Sequence, residues 1–308
     1  MPRVSVIIAA FNCEAYVAEA LRSVHEQSYD DWEIVLADDG STDRTAEIAR
    51  GFERVVVLES ESNAGLPAAR NRAISRAGGE LLALLDADDY WLPEYLKWQV
   101  DLFDREQSQN GNIGIVACNA HLLGPDGAIG ERTYMDVIRF PDCLTLTDLL
   151  RGNPIYVSAL VPRSVIEDAG YFHSKLRRMP DWDLWLRIVE RGYRVAATRR
   201  PLAVYRVRRH SLSSDAYRMA KEAQLVYRRA LDRGNLSRRQ RRIARRELRL
   251  QRAVEAFAAE GSPSPFFRVL PLFALVAVEH PRRWFRFGRL LAGRRRLGEL
   301  IPSGKTAH

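Results

Sequence analysis

Four short apolar runs rich in β-branched residues, at 4–10, 34–37, 55–58 and 81–85, alternate with stretches of helical periodicity in the first 90 residues. Strands separated by helices pair side by side rather than as hairpins, so the pattern predicts an α/β fold with a mostly parallel central sheet flanked by helices. Val17, Ala20, Leu21 and Val24 share one helical face, and Gly40-Ser41-Thr42-Asp43 supplies a turn and cap before the next helix. Pro67 and Pro93 fit first-turn positions.

From 113 to 206 the pattern is mixed, with strands expected at 113–123, 156–161 and 202–205 and a helix over 181–191 stopped by Gly192. Beyond 217 the chain reads as helical, with an arginine-rich stretch at 238–252 and further segments at 266–278 and 282–296. Charge divides at the same place. Residues 1–216 carry 25 Lys/Arg and 32 Asp/Glu, whereas 217–308 carry 22 and 7. The expected organisation is therefore one domain at 1–216, in two halves at 1–110 and 111–216, followed by a basic helical region at 217–308.

Three cysteines without a CxxC pair support neither a disulfide framework nor a zinc cluster. The apolar run at 4–10 lacks a basic leader and reads as a strand rather than a secretory signal, so a cytoplasmic protein is expected. Residues 270–278 are uncharged but contain Pro271 and fall well short of the ~20 residues that span a bilayer. Trp284, Phe285, Phe287, Leu290 and Leu291 among arginines suggest peripheral docking on the anionic cytoplasmic membrane face. Nucleic acid is not expected, because zinc-finger spacing and RNP-like aromatic patterns are missing.

In open parallel sheets, ligands bind beyond the carboxyl ends of the strands. The segments there are 9–14, 38–43 and 86–89. Asp86-Ala87-Asp88-Asp89 follows the buried run Leu81-Leu82-Ala83-Leu84-Leu85, and packing does not require three carboxylates at that point. Such hard oxygen donors suit Mg2+ or Mn2+, which would neutralise a diphosphate leaving group. Asp38-Asp39-Gly40-Ser41-Thr42-Asp43 offers a carboxylate to a base N–H or ribose hydroxyl, and is equally a turn with an N-cap.

These motifs, with Ser5-Val6-Ile7-Ile8-Ala9-Ala10-Phe11-Asn12, with Asn63-Ala64-Gly65-Leu66-Pro67-Ala68-Ala69-Arg70-Asn71 and with Asp181-Trp182-Asp183-Leu184-Trp185, resemble glycosyltransferase family 2 over roughly residues 1–212. The resemblance implies a GT-A fold and an inverting, metal-assisted transfer from a nucleotide-diphosphate sugar, UDP by preference, to a glycan or lipid-linked acceptor. It implies that Ala9, Ala10, Phe11 and Asn12 line the base, with Glu14 in the same loop, that Asp39 hydrogen-bonds the base, and that Arg70 contacts the nucleotide. Asp86 then faces ribose or metal, Asp88 is the principal metal ligand, and His210 reaches the diphosphate or metal. Phe11 stands where the family often has tyrosine, keeping the ring and losing the hydroxyl.

An inverting transfer needs a base opposite the leaving group. Asp181 matches the aspartate of the family's Glu-Asp motif at a helix start, with Pro180 in place of the glutamate. Asp183, about 200° further around a helix, is the second candidate for the base. Two other functions fit the nucleotide-binding pattern. A sugar-1-phosphate nucleotidyltransferase would need a glycine-rich phosphate loop, and 9–14 contains no glycine; an inactive sugar-nucleotide-binding module would have little use for Asp39, Asp86, Asp88 and Asp181 together.

Overall fold

The computed structural model describes residues 1–138, 140–208 and 215–258. They divide into two compact units, one of residues 1–122 and 131–206 and one built from 123–130 and the chain after 206.

The first unit opens with β1 (Val4–Ala10), α1 (Val17–His25), β2 (Trp32–Asp38), α2 (Thr45–Arg50), β3 (Val55–Glu59), α3 (Leu66–Arg76) and β4 (Leu81–Asp86). It continues with β5 (Tyr90–Trp91), α4 (Tyr95–Asn110), β6 (Ile113–Leu123), α5 (Tyr134–Ile138), α6 (Leu146–Leu149), β7 (Ala159–Pro162), α7 (Arg163–Ala169), α8 (Pro180–Glu190) and β8 (Arg194–Arg206). The eight strands form one sheet in the order β3-β2-β1-β4-β7-β6-β8-β5. The first four are parallel; β7 is antiparallel to β4 and β6, and β5 to β8.

Every residue of β1 is buried, as expected of a strand covered on both faces. Its one polar residue is satisfied: the Ser5 hydroxyl donates to Glu33 (2.6 Å) and accepts the Gly79 amide (2.8 Å). Register aligns the strand ends. Ala9 lies opposite both Ala37 and Asp86, and Ala10 opposite Asp38, so three strands deliver their last residues to one edge.

The predicted face of α1 is the buried one, with Val17, Ala20, Leu21 and Val24 in the core, and Pro67 lies in the first turn of α3. Pro93 does not fit its expected place: α4 starts at Tyr95, because the Leu92 amide still bonds to Leu202 (2.8 Å) and the chain must turn before a helix can start. The strand expected at 156–161 begins only at Ala159. Tyr156 and Ser158 precede it and bond side chains instead, Tyr156 to Asp89 (2.6 Å) and Ser158 to the Trp91 indole (3.2 Å).

Arg163, at the start of α7, ties the sheet together. Its guanidinium donates to the carbonyls of Ile74 (3.1 Å), Ala77 (2.5 Å) and Gly79 (2.9 Å), satisfying groups that the end of α3 leaves open.

In the second unit, α9 (Ala216–Asp232) and α10 (Arg238–Ala258) pack on one another, with Ala223, Val226, Tyr227, Ile243, Ala244 and Leu248 buried. Asp215 caps α9 by accepting the Arg218 amide (3.0 Å). The segments at 266–278 and 282–296, including the Trp284 to Leu291 cluster, lie outside the described residues. Among the described residues no helix is long and apolar enough to cross a membrane.

Candidate active site

The first loop beyond the sheet follows β1. Ala9 and Ala10 are buried, and the Ala10 carbonyl accepts the Asp39 amide (2.8 Å), while Phe11 is 44% exposed. Asn12 adopts a left-handed conformation (φ 51°), which asparagine tolerates better than most residues. Its amide donates to Ser41 (2.9 Å) and its side-chain oxygen accepts from Thr42 (2.9 Å). Glu14 accepts the Arg44 amide (3.1 Å), so it laces this loop to the one after β2. Gly40 is needed where the loop after β2 meets the one after β3: its φ is 77°, and a Cβ there would approach the Ser62 carbonyl carbon to 2.8 Å.

The paired aspartates after β2 have different environments. Asp39 is buried and accepts the amides of Ala64 (3.0 Å) and Gly65 (2.7 Å), one on each carboxylate oxygen, and so anchors the entry to α3. Asp38 accepts the Ser41 amide on Oδ1 (2.8 Å), but its Oδ2 is buried with no hydrogen-bond partner. An unmet buried acceptor costs about 1–3 kcal/mol. In this motif the unmet acceptor belongs to Asp38, whereas the sequence pointed to Asp39.

Arg70 rises from α3 beneath the acidic loop. It is buried, pairs with Asp86 (2.5 Å) and lies over the Phe172 ring at 5.3 Å. The next residue, Asn71, exchanges two hydrogen bonds with the Phe172 backbone (2.8 and 2.9 Å). Asp86, Asp88 and Asp89 each offer a carboxylate oxygen, and these atoms lie within 4.8 Å of one another. The three are not equivalent. Asp89 is buried, with Oδ2 accepting the Tyr156 hydroxyl (2.6 Å) and Oδ1 accepting the Arg206 amide (2.8 Å). Burial, then the charges of Asp88 and Asp86, push its pKa well above the usual carboxylate range, against those two donors. Asp86 and Asp88 are partly exposed, and such hard donors fit Mg2+ or Mn2+, with Asp89 holding the loop from behind.

Asp181 lies in the first turn of α8 and accepts the Asn153 side-chain amide (2.8 Å). Burial raises its pKa, the Arg70 charge opposes the shift and the Asp86 charge adds to it, so Asp181 shares one electrostatic environment with the acidic loop. Asp183 does not. It is completely buried and paired with Arg187 (2.9 Å), which also donates to the carbonyls of Ala169 and Tyr171 (2.7 Å for the latter). That pairing gives Asp183 a structural role in α8.

Several contributors carried no sequence motif. Tyr134, Tyr156 and Tyr205 form a cluster with ring centroids 5.5 to 6.2 Å apart. Burial raises the pKa of Tyr134 and of Tyr156, with the Asp181 charge adding to the first and Asp89, which accepts the Tyr156 hydroxyl (2.6 Å), adding to the second. Arg206 spans the other side: its Nε donates to the Asp88 carbonyl (2.9 Å), its guanidinium pairs with Glu19, and it stacks over Tyr16 at 5.0 Å. Its place at the end of a long strand, after Tyr205, was the one available signal. His210 lies outside the described residues.

The model of the family described as Glycosyl transferase family 2 matches residues 5–127. TuaG of Bacillus subtilis (strain 168), provisionally named a teichuronic acid biosynthesis glycosyltransferase, is 32% identical over 234 residues, covering 74% of this chain and 88% of TuaG. WfaP of Escherichia coli, named a UDP-Glc:alpha-D-GlcNAc-diphosphoundecaprenol beta-1,3-glucosyltransferase, is 26% identical over 221 residues, 71% of this chain and 82% of WfaP. Among solved structures, the mannosyltransferase PcManGT from Pyrobaculum calidifontis, in complex with GDP-Man and Mn2+, superposes with a TM-score of 0.65 at 22% identity, covering 92% of this chain and 83% of PcManGT. S. aureus TarS 1-349 in complex with UDP-GlcNAc gives a TM-score of 0.63 at 20% identity, covering 92% and 79%. Level strand ends, an acidic loop and these relatives lead to one assignment: the chain is a glycosyltransferase of the GT-A fold and belongs to glycosyl transferase family 2.

Proposed function

We propose that the protein transfers a sugar, with inversion, from a nucleoside-diphosphate donor to a hydroxyl of a lipid-linked or glycan acceptor, with Asp181 as the base. The observation that carries this reading is the electrostatic environment shared by Asp181, Arg70 and Asp86. A carboxylate near a phosphate-binding cation and a metal-type acidic loop is suited to deprotonate an attacking hydroxyl as the leaving group departs.

The loop at the end of β2 that carries Asp38 and Asp39 receives the base, and Phe11 offers an exposed ring for it to stack on. Uracil is the preferred base, as in the donors named for WfaP and bound to TarS. Arg70 offers its charge to the diphosphate while holding Asp86 in place. Asp86 and Asp88 hold the divalent cation, which when bound neutralises the departing nucleoside diphosphate. Asn153 orients Asp181 through its amide, and the desolvation that raises the Asp181 pKa makes it a stronger base than a free carboxylate. The tyrosine cluster lines the acceptor side, where aromatic faces suit the C–H face of a sugar ring. A lipid-linked acceptor follows the one named for WfaP. The free Cys13, Cys118 and Cys143 fit work on the reducing, cytoplasmic side.

The test is nucleotide release with Mn2+, a nucleoside diphosphate from UDP-, GDP- and dTDP-sugars and CMP from CMP-sugars, together with donor binding, in the wild type and in Asp181→Asn. Retained donor binding with lost transfer in the variant supports the assignment, and full activity in the variant removes Asp181 from the mechanism. Pyrophosphate release from a nucleoside triphosphate and a sugar 1-phosphate would instead identify a nucleotidyltransferase, and turnover of neither substrate set an inactive binding module.

A further inference from the structure

On α10, Arg238, Arg242, Arg245, Arg249 and Arg252 follow one another at intervals of four, three, four and three residues, and all five are exposed. At about 1.5 Å of rise per residue this spacing makes one straight row roughly 21 Å long. The opposite face, with Ile243, Ala244, Leu248 and Ala253, is buried. The acidic residues of the helix do not interrupt the row: Glu247 is buried and paired with Arg246 (3.1 Å), and Glu255 accepts the Gln224 amide (2.6 Å). Among the described residues no ion pair engages any of the five.

Like charges three and four apart on a helix repel, so the row weakens the helix that carries it. Packing does not account for it either, because the face that meets α9 is the other one. We propose that this row is a docking surface for the anionic headgroups of a phospholipid bilayer. Guanidinium groups bind phosphate oxygens bidentately, and a plane of phosphates can meet a straight helix along its whole length. A nucleic acid fits less well. Its phosphates curve away from a straight row, and the only aromatic residue of α10, Phe257, lies beyond the row, so there is no stacking platform. The purpose of docking rests on the lipid-linked acceptor proposed above; the docking itself does not, because binding to vesicles requires no turnover.

The experiment is flotation of the full chain with phosphatidylcholine vesicles, with and without phosphatidylglycerol, at low and high salt. Wild-type protein floats only with the anionic vesicles and is released by salt. At about fivefold per arginine, replacing Arg242, Arg245 and Arg249 together with glutamine lowers the partition coefficient about a hundredfold. The three side chains are exposed, so the variant keeps its far-UV circular dichroism, its Tm and its nucleoside-diphosphate release in the absence of acceptor. Unchanged flotation of the folded variant, equal binding to neutral vesicles, or tighter binding to duplex DNA or RNA than to anionic vesicles each overturns the proposal. Flotation without any donor turnover leaves the docking standing and removes the transferase reading.

Discussion

The parallel half of the sheet and the half that begins at β7 build the site by different means. In β3-β2-β1-β4, register alone brings Ala10, Asp38 and Asp86 to one edge, and each short loop beyond it carries a contiguous motif. Across β7-β6-β8-β5 the contributors come from irregular segments, a helix start and a strand end: Asn153, Tyr156, Asp181 and Arg206. Parallel strands concentrate information locally, whereas the other half distributes it through tertiary contacts.

That contrast can be tested within one helix. Asp183→Ala leaves the buried Arg187 cation without its carboxylate and is expected to cost about 3–5 kcal/mol in denaturant unfolding. A loss under 1 kcal/mol would mean that Arg187 finds other acceptors and that Asp183 is not the anchor of α8.

Gly40→Ala tests the parallel half. A left-handed φ with a Cβ contact of 2.8 Å to backbone predicts a loss of about 1–3 kcal/mol, together with weaker donor binding by calorimetry, because the loops after β2 and β3 must separate. Tyr156→Phe tests the other half. Removing the hydroxyl leaves Asp89 Oδ2 unpaired, at about 1–3 kcal/mol, and should lower Mn2+ affinity while leaving nucleotide binding without metal unchanged. Equal effects of both variants on metal-free nucleotide binding would erase the proposed division of labour.

The smallest stability effect belongs to Asp181→Asn. Folding raises the Asp181 pKa, so the folded protein holds this proton more tightly than the unfolded chain does. Its contribution to stability is therefore greatest at low pH and declines as pH rises from the ordinary carboxylate value through the raised one. Asparagine has no such charge to desolvate and can still accept from Asn153. The variant should melt no lower than wild type at pH 7.5, in contrast to Asp183→Ala, and the acid limb of the wild-type transfer rate should lie above the range of a free aspartate. A clear drop in Tm would show that the ionised carboxylate stabilises the fold.

The same division governs what could be read from the chain. Strands β1 to β4 were legible because β-branched runs between helical stretches leave few alternatives, and β6 appeared over the residues its apolar pattern marked. The strand expected from 156 began three residues late, because Tyr156 and Ser158 are apolar-run neighbours recruited to satisfy Asp89 and Trp91, two partners more than 60 positions away. Asp38 and Asp39 could not be told apart by motif, since their difference lies in whether the Ala64 and Gly65 amides reach them. The partner of Arg206 was unreadable for the same reason: its hold on the Asp88 carbonyl crosses 118 positions of sequence.

Arg163 has a consequence for how the catalytic unit comes apart. Its three carbonyl bonds to residues 74, 77 and 79 cross from β7 and α7 to the end of α3. A fragment ending at residue 127, the span that the family model matches, would retain every parallel strand yet leave those carbonyls without their donor. In the full chain, amides at the end of α3 and in β7 should exchange with solvent at a common rate, opening and closing as one cooperative block, so the evolutionary module and the folding module of this enzyme have different boundaries.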